Sequence, residues 1–201
     1  LEFRRVLFRS YDAELTRLYP AGTIDAQRKR YCRVIGEFEE FYGEGREAGF
    51  FSAPGRTEIG GNHTDHNHGR VLAASVNLDA IAVAAKSEGT VVNVKSEGYA
   101  MDTVDISDLK PHEKEFGKSR ALVRGVCSEF KRRGYNVGAF DATTASDVLS
   151  GSGLSSSAAF DVLIGTILNY LYNDGKVSPV EIAKIAQYAE NKYFNKPSGL
   201  M

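Results

Sequence analysis

The sequence predicts a mixed α+β domain. Strand-like runs follow one another at Val71–Leu78, Ala80–Lys86 and Thr90–Ser96. Four segments, Ala26–Tyr42, Lys118–Arg133, Ala158–Tyr172 and Ser178–Tyr193, read as helices from apolar spacing or from their start signals. A further strand, Gly138–Ser146, is interleaved with the helices, and no repeat, low-complexity tract or linker divides the chain.

Each element has a local reason. Tyr11–Leu18 reads as a short amphipathic helix ended by Pro20. Asp25 can cap the next helix, in which Tyr31, Ile35, Phe38 and Phe41 share a face and after which Gly43 and Gly45 stop the pattern. Phe50–Ala53 is a short strand leading into Pro54-Gly55, and Glu88-Gly89 signals a hairpin between Ala80–Lys86 and Thr90–Ser96. Leu122, Val126 and Phe130 line one face of the third helix, with Gly134 as its stop. Ser178-Pro179-Val180-Glu181 combines a capping serine, a proline suited to the first turn and the acid of a capping box.

Composition narrows the function classes. The 201 residues are 42% hydrophobic and 25% charged with a net charge of −1, which leaves no basic footprint for nucleic acid. No apolar run approaches the roughly 20 residues of a membrane span. Cys32 and Cys127 stand far apart and suggest neither a disulfide framework nor a zinc site, so a cytoplasmic setting is expected. Residues 1–10, LEFRRVLFRS, match no helical or strand face well. They read as the translation of a sequencing-adapter tail, so the natural domain is expected to occupy 11–201.

Two stretches carry chemistry. Ser150–Phe160 reads Ser-Gly-Ser-Gly-Leu-Ser-Ser-Ser-Ala-Ala-Phe. Gly151 and Gly153 allow a sharp turn and close approach to a ligand. Ser155, Ser156 and Ser157 fall where a helix begins, so free N–H groups and the positive dipole end make an anion site, with phosphate the commonest occupant. The plainer reading is a loop with a serine N-cap. No lysine lies within Gly151–Asp161, which excludes a Walker loop. Ser156 stands where a dinucleotide fingerprint needs Gly or Ala, and Ser157 where a nucleophile elbow needs Gly. What remains is a loop that holds phosphate by backbone N–H groups and hydroxyls, with a metal offsetting charge.

The second stretch, Gly55–Gly69, reads Gly-Arg-Thr-Glu-Ile-Gly-Gly-Asn-His-Thr-Asp-His-Asn-His-Gly. As a loop between strands it suits a polyol, since carboxylate, amide and imidazole groups can grip several hydroxyls. A zinc site from His63, His66, His68 and Asp65 and a plain polar turn are the other readings.

Gly-x-Gly-Leu-Ser-Ser-Ser-Ala resembles the second motif of the GHMP small-molecule kinases in its galactokinase version. The stretch from Gly55 resembles the galactokinase signature, matching at Gly55, Arg56, Ile59, Gly60, His63, Thr64, Asp65, Asn67 and Gly69. It departs at Asn62, where the family usually has Glu, and at Glu58, where Asn is common. The resemblance covers Ala26–Met201 and implies a GHMP kinase N-terminal domain, a mixed β-sheet packed with helices in the manner of ribosomal protein S5 domain 2.

By that resemblance Arg56 stabilises the transferring phosphoryl group, and Asn62, His63, Thr64, Asp65 and Gly199 meet the sugar. Gly151, Ser152, Gly153, Leu154, Ser155, Ser156, Ser157 and Ser96 meet the nucleotide, and Ser157 and Glu190 hold Mg²⁺. The implied partners are ATP and galactose, which is phosphorylated at its anomeric hydroxyl; nucleic acid and membrane are not expected partners. Kinases for N-acetylgalactosamine or arabinose, and a silent sugar-sensing regulator of the same fold, are the alternatives. In the family an aspartate after Pro-x-Gly-x-Met is the base, and Pro197-Ser198-Gly199-Leu200-Met201 stops one residue before it. The expectation is an amino-terminal part, lacking the second domain and its base, that is not an efficient kinase on its own.

Overall fold

A computed structural model describes residues 12–62, 64–149, 151 and 153–200. Residues 1–10, Tyr11, His63, Ser150, Ser152 and Met201 lie outside the described residues. Helix α1 (12–18) is followed by α2 (Ile24–Tyr42), β1 (Gly49–Gly60), β2 (Leu72–Lys86), β3 (Val91–Ser96), β4 (Asp102–Asp105), α3 (Ser119–Arg132), β5 (Phe140–Ser146), α4 (Ser156–Tyr172) and α5 (Pro179–Ala189). The sheet runs in the order β1-β2-β5-β3-β4 and is mixed, with β3 parallel to β5 and the other neighbours antiparallel. Among the described residues no helix is long and apolar enough to cross a membrane.

Both sheet faces are covered, and the sequence of β2 shows why. Successive side chains alternate faces. Ala80, Ala82 and Ala84 meet Val123, Phe130, Leu163 and Ile167 of α3 and α4. Ile81, Val83 and Ala85 meet Tyr31, Val34 and Phe38 of α2. A strand buried on both sides reads as a continuous apolar run, as here.

Several expected details change. Val71–Leu78 and Ala80–Lys86 are one long strand, and β1 continues to Gly60 instead of ending at Ala53. The first six residues of the polar stretch from Gly55 are therefore strand, paired with β2 through Arg56↔Ser75 and Thr57↔Ala74. Glu88-Gly89 makes no hairpin, because β5 lies between β2 and β3. The short β4 carried too few residues to show an alternation. Asp25 does not cap α2: a 3₁₀ turn at Ala21–Thr23 precedes the helix, and Asp25 sits in its first turn, bonded to Arg28. Phe41 stays exposed while Val34 takes a core position. Ser178 does cap α5, accepting from the Glu181 N–H at 3.2 Å, but the Glu181 carboxylate turns to Arg133 and Lys184.

Two charged ties fix helices in place, one to the sheet and one to the 3₁₀ turn Glu113–Glu115. Arg30 and Asp79 form a buried pair at 2.6 Å, with Arg30 also donating to the Asp79 and Ala145 carbonyls at 2.6 and 3.2 Å. Tyr19 and Ser52 donate to the other Asp79 oxygen, each at 2.5 Å. On the opposite side Arg124 of α3 donates to both Glu115 oxygens, at 2.8 and 2.9 Å. That hydrogen bonding holds the Glu115 carboxyl below its ordinary value of 4.5. A depressed folded value means stability present above about pH 4.5 and lost as pH falls through the folded value. Glu115→Gln is expected to flatten the loss of stability below that pH, measured by urea unfolding across an acid series.

Candidate functional site

The two chemistry-bearing stretches meet. The β1–β2 register shifts between Pro54 and Arg56, where Gly55 faces the three β2 residues Val76, Asn77 and Leu78. Gly55 backs directly onto the glycine–serine loop: a Cβ there would lie 3.2 Å from the Leu154 carbonyl oxygen and 3.1 Å from Val148. The Arg56 N–H donates to that same carbonyl at 3.0 Å, and its guanidinium donates to the Ser155 hydroxyl.

The glycine–serine loop has the backbone its residues suggested. Gly151 and Gly153 have φ of +76° and +77°, open to glycine without strain, and Ser155 follows at +58°. Left-handed residues at 153 and 155 lie either side of Leu154, and alternation with left-handed residues is the way backbone N–H nests for anions are built. Ser155 occupies the N-cap of α4, but its side chain makes no capping bond and goes to Arg56 instead. The N-terminal N–H groups of α4 thus keep their capacity for an anion.

A cleft of about 530 Å³ opens at this junction, lined by Arg56, Asn62, Ser155, Ser157, Glu190 and Gly199, together with His66 and Lys196. A larger hollow of about 1140 Å³ beside Phe51, Asp79 and Tyr170 contains none of the residues singled out in the sequence. Asn62 has a φ of +55°, a left-handed position that asparagine tolerates well. Asp65 lies against Gly199, where a Cβ would fall 1.9 Å from a carboxylate oxygen, so a side chain at 199 would have to displace that carboxylate. Thr64 is turned inward: its hydroxyl donates to the Gly61 carbonyl at 2.8 Å and its carbonyl accepts from Gly69 at 2.8 Å. Ser96 ends β3 with its hydroxyl accepting from Thr144 at 2.9 Å, and it is not among the residues that line the cleft. Gly151, Gly153, Leu154 and Ser156 shape the loop without lining the cleft. His63 and Ser152 lie outside the described residues.

The acidic end of the cleft is built by a π-helical turn, Glu190–Phe194, that ends α5. Such turns are frequent at functional sites. Glu190 is buried; its Oε2 accepts from the Ser198 hydroxyl and lies 3.3 Å from the Lys196 ammonium, while Oε1 has no hydrogen-bond partner. Lys196 also donates to the Ser157 hydroxyl at 3.4 Å. One turn after Ser157, Asp161 is fully buried and neither of its oxygens has a hydrogen-bond partner among the described residues. Burial, and then the charge of Glu190, push its carboxyl well above the usual range, with Lys196 opposing them. Ser157 and Glu190, with three orphaned buried oxygens between the two carboxyls, fit a divalent cation. Among the described residues no group of three or more His, Cys, Asp or Glu is placed to hold a metal.

Lys196 and Asp161 escaped the sequence reading. An acid one helical turn beyond Ser157 in an otherwise apolar helix was a signal available from spacing alone. Lys196 left none, because it reaches Ser157 only through the π-helical turn.

A lysine-free, serine-bearing loop at a helix start thus shares one cleft of a mixed sheet with residues of the polar stretch from Gly55. The chain matches the galactokinase galactose-binding signature over residues 36–86 and the GHMP kinases N terminal domain over 121–201. It belongs to the GHMP kinase family, on its galactokinase branch. It is 36% identical to a galactokinase of Clostridium tetani over 166 residues, which is 82% of this chain and 42% of that one. A galactokinase of Bacillus subtilis is 32% identical over 170 residues, covering 83% and 43% of the two chains. The fold superposes on Lactococcus lactis galactokinase complexed with galactose with a TM-score of 0.77 at 28% identity, covering 85% of this chain and 44% of that one. Methanococcus jannaschii mevalonate kinase, at 15% identity and a TM-score of 0.62 over 76% of this chain and 49% of its own, shares the fold. The chain spans 42–43% of the length of these two curated relatives.

Proposed function

We propose that residues 11–201 form the sugar- and nucleotide-binding domain of an ATP-dependent galactokinase of the cytoplasm, which phosphorylates the anomeric hydroxyl of galactose to give galactose 1-phosphate and ADP. The observation that carries this reading is the bond from Arg56 to Ser155, which joins the two motifs in one cleft. Phosphoryl transfer asks a protein mainly for positioning and for charge stabilisation. The loop from Gly151 to Ser157 would hold the triphosphate by backbone N–H groups and hydroxyls. Arg56 would face the transferring group, and Asn62, His63, Thr64, Asp65 and Gly199 would orient the sugar. Ser157 and Glu190 would hold magnesium, which, when bound, neutralises phosphate charge.

Asn62 supports a second reading. It lines the cleft with an amide where the galactokinase signature usually has a carboxylate, so the same site suits N-acetylgalactosamine or arabinose. Calorimetric titration of galactose, these two sugars and Mg·ATP tests both. Ser157→Ala is expected to weaken Mg·ATP about tenfold and leave sugar binding unchanged, and Asp65→Ala to do the reverse, as for the loss of one charge-assisted bond of about 1.5 kcal/mol. Equal effects of both variants on both ligands would contradict the division of the cleft.

A further inference from the structure

Next to Ser157 and Glu190 stands a third oxygen-bearing side chain, Asp161, which is buried and is not among the residues that line the cleft. Ser157 and Asp161, four residues apart on α4, lie on one face of the helix. Asp161 is completely buried with both oxygens unpartnered, and the buried Oε1 of Glu190 is unpartnered as well. Buried carboxyl oxygens without donors are costly, and a cation is the partner that relieves several of them at once. One cation is already at the mouth. The Lys196 ammonium stands 3.3 Å from Glu190 Oε2 and 3.4 Å from Ser157 Oγ, touching both residues that would hold the metal. The Lys196 side chain is 55% exposed, so its flexible stem can carry the ammonium out to water without disturbing the core. The loop behind it is pinned independently, Ser198 N–H donating to Asn191 Oδ1 at 2.6 Å and the Ser198 carbonyl accepting from Gln187 at 3.1 Å.

We propose that Ser157, Asp161 and Glu190 form one oxygen pocket with two alternative occupants, the Lys196 ammonium and a divalent cation. Asp161 is then a third protein oxygen donor for the metal, and Lys196 is a tethered competitor that fills the pocket until the metal arrives and then swings to solvent, where its charge faces the incoming phosphates. This rests on the cation role given above to Ser157 and Glu190.

The test is binding of Mn²⁺ alone to the nucleotide-free full chain, read by the free-ion signal in electron paramagnetic resonance. If the ammonium holds the pocket about nine-tenths of the time, Lys196→Met should tighten Mn²⁺ about tenfold, because the competent fraction rises to one. Asp161→Asn should weaken Mn²⁺ by about tenfold or more while raising the melting temperature, since it removes a buried unpartnered carboxyl. That rise separates a lost ligand from a damaged fold. Mn²⁺ bound with the same affinity by wild type, Lys196→Met and Asp161→Asn overturns the shared pocket and leaves the kinase reading standing. No Mn²⁺ bound by any of them at millimolar concentration overturns the pocket and the cation role of Ser157 and Glu190 together.

Discussion

Arg56→Ala, made in a chain of the relatives' full length, is expected to lower kcat about 10²–10³-fold with little change in the sugar KM, the cost of losing one preorganised donor at the developing charge. The geometry gives the reason. Arg56 stays paired with Ser75 beside the register shift, and its main-chain bond to Leu154 holds it at the mouth of the glycine–serine loop. Its guanidinium reaches the Ser155 hydroxyl. No lysine occurs within the loop to share the task. Arg56→Lys separates charge from shape: a flexible point charge cannot reproduce the planar fork, so it should recover only part of the rate. The check is steady-state kinetics with ATP and galactose, supported by circular dichroism to show that both variants fold. A fall in sugar affinity with kcat intact would place Arg56 in ground-state binding instead.

Asp79→Ala is expected to be the most damaging single change to the fold, about 3–5 kcal/mol, because it leaves the buried Arg30 without its main partner. The Arg30 and Asp79 side chains are each 6% exposed, so water cannot replace what is lost. Tyr19 and Ser52 lose their acceptor in the same step, which loosens α1 and β1 from β2 together. Asp147 lies 3.1 Å from Arg30 but is 42% exposed and recovers only part of the loss. Chemical denaturation measures the difference. The exposed pair Lys176–Asp174 is the control, and Lys176→Ala should leave the unfolding midpoint where it was.

What could be read from the letters follows from how local the cause is. The helix starts at Ser155–Ser156 and Ser178–Pro179 were legible because capping and dipole effects act within one turn. The left-handed backbone at Gly151 and Gly153 was legible for the same reason. Glu88-Gly89 misled because a turn signal reports its own bend and not the strand that inserts beside it from residues 140–146. β1 outran its expected end because Arg56, Thr57 and Glu58 look polar and loop-like, yet their backbone pairs with Ser75, Ala74 and Ala73. At the site, the motifs supplied Arg56, Asn62 and Ser157, the family resemblance alone supplied Glu190, and the fold brought them to one cleft. Thr64 came from the first motif and Ser96 from the family resemblance, but both have their hydroxyls bonded within the protein.

The central claim is that nucleotide and sugar occupy one cleft at the junction of the two motifs. Paramagnetic relaxation of galactose protons with Mn·ATP bound tests it most directly, because it reads proximity and needs no turnover. The account predicts strong enhancement that is greatest at the anomeric proton and vanishes when Ser157→Ala weakens the Mn·nucleotide. Galactose that binds with Mn·ATP present and shows no enhancement, or shows its largest enhancement at the C6 protons, would contradict it.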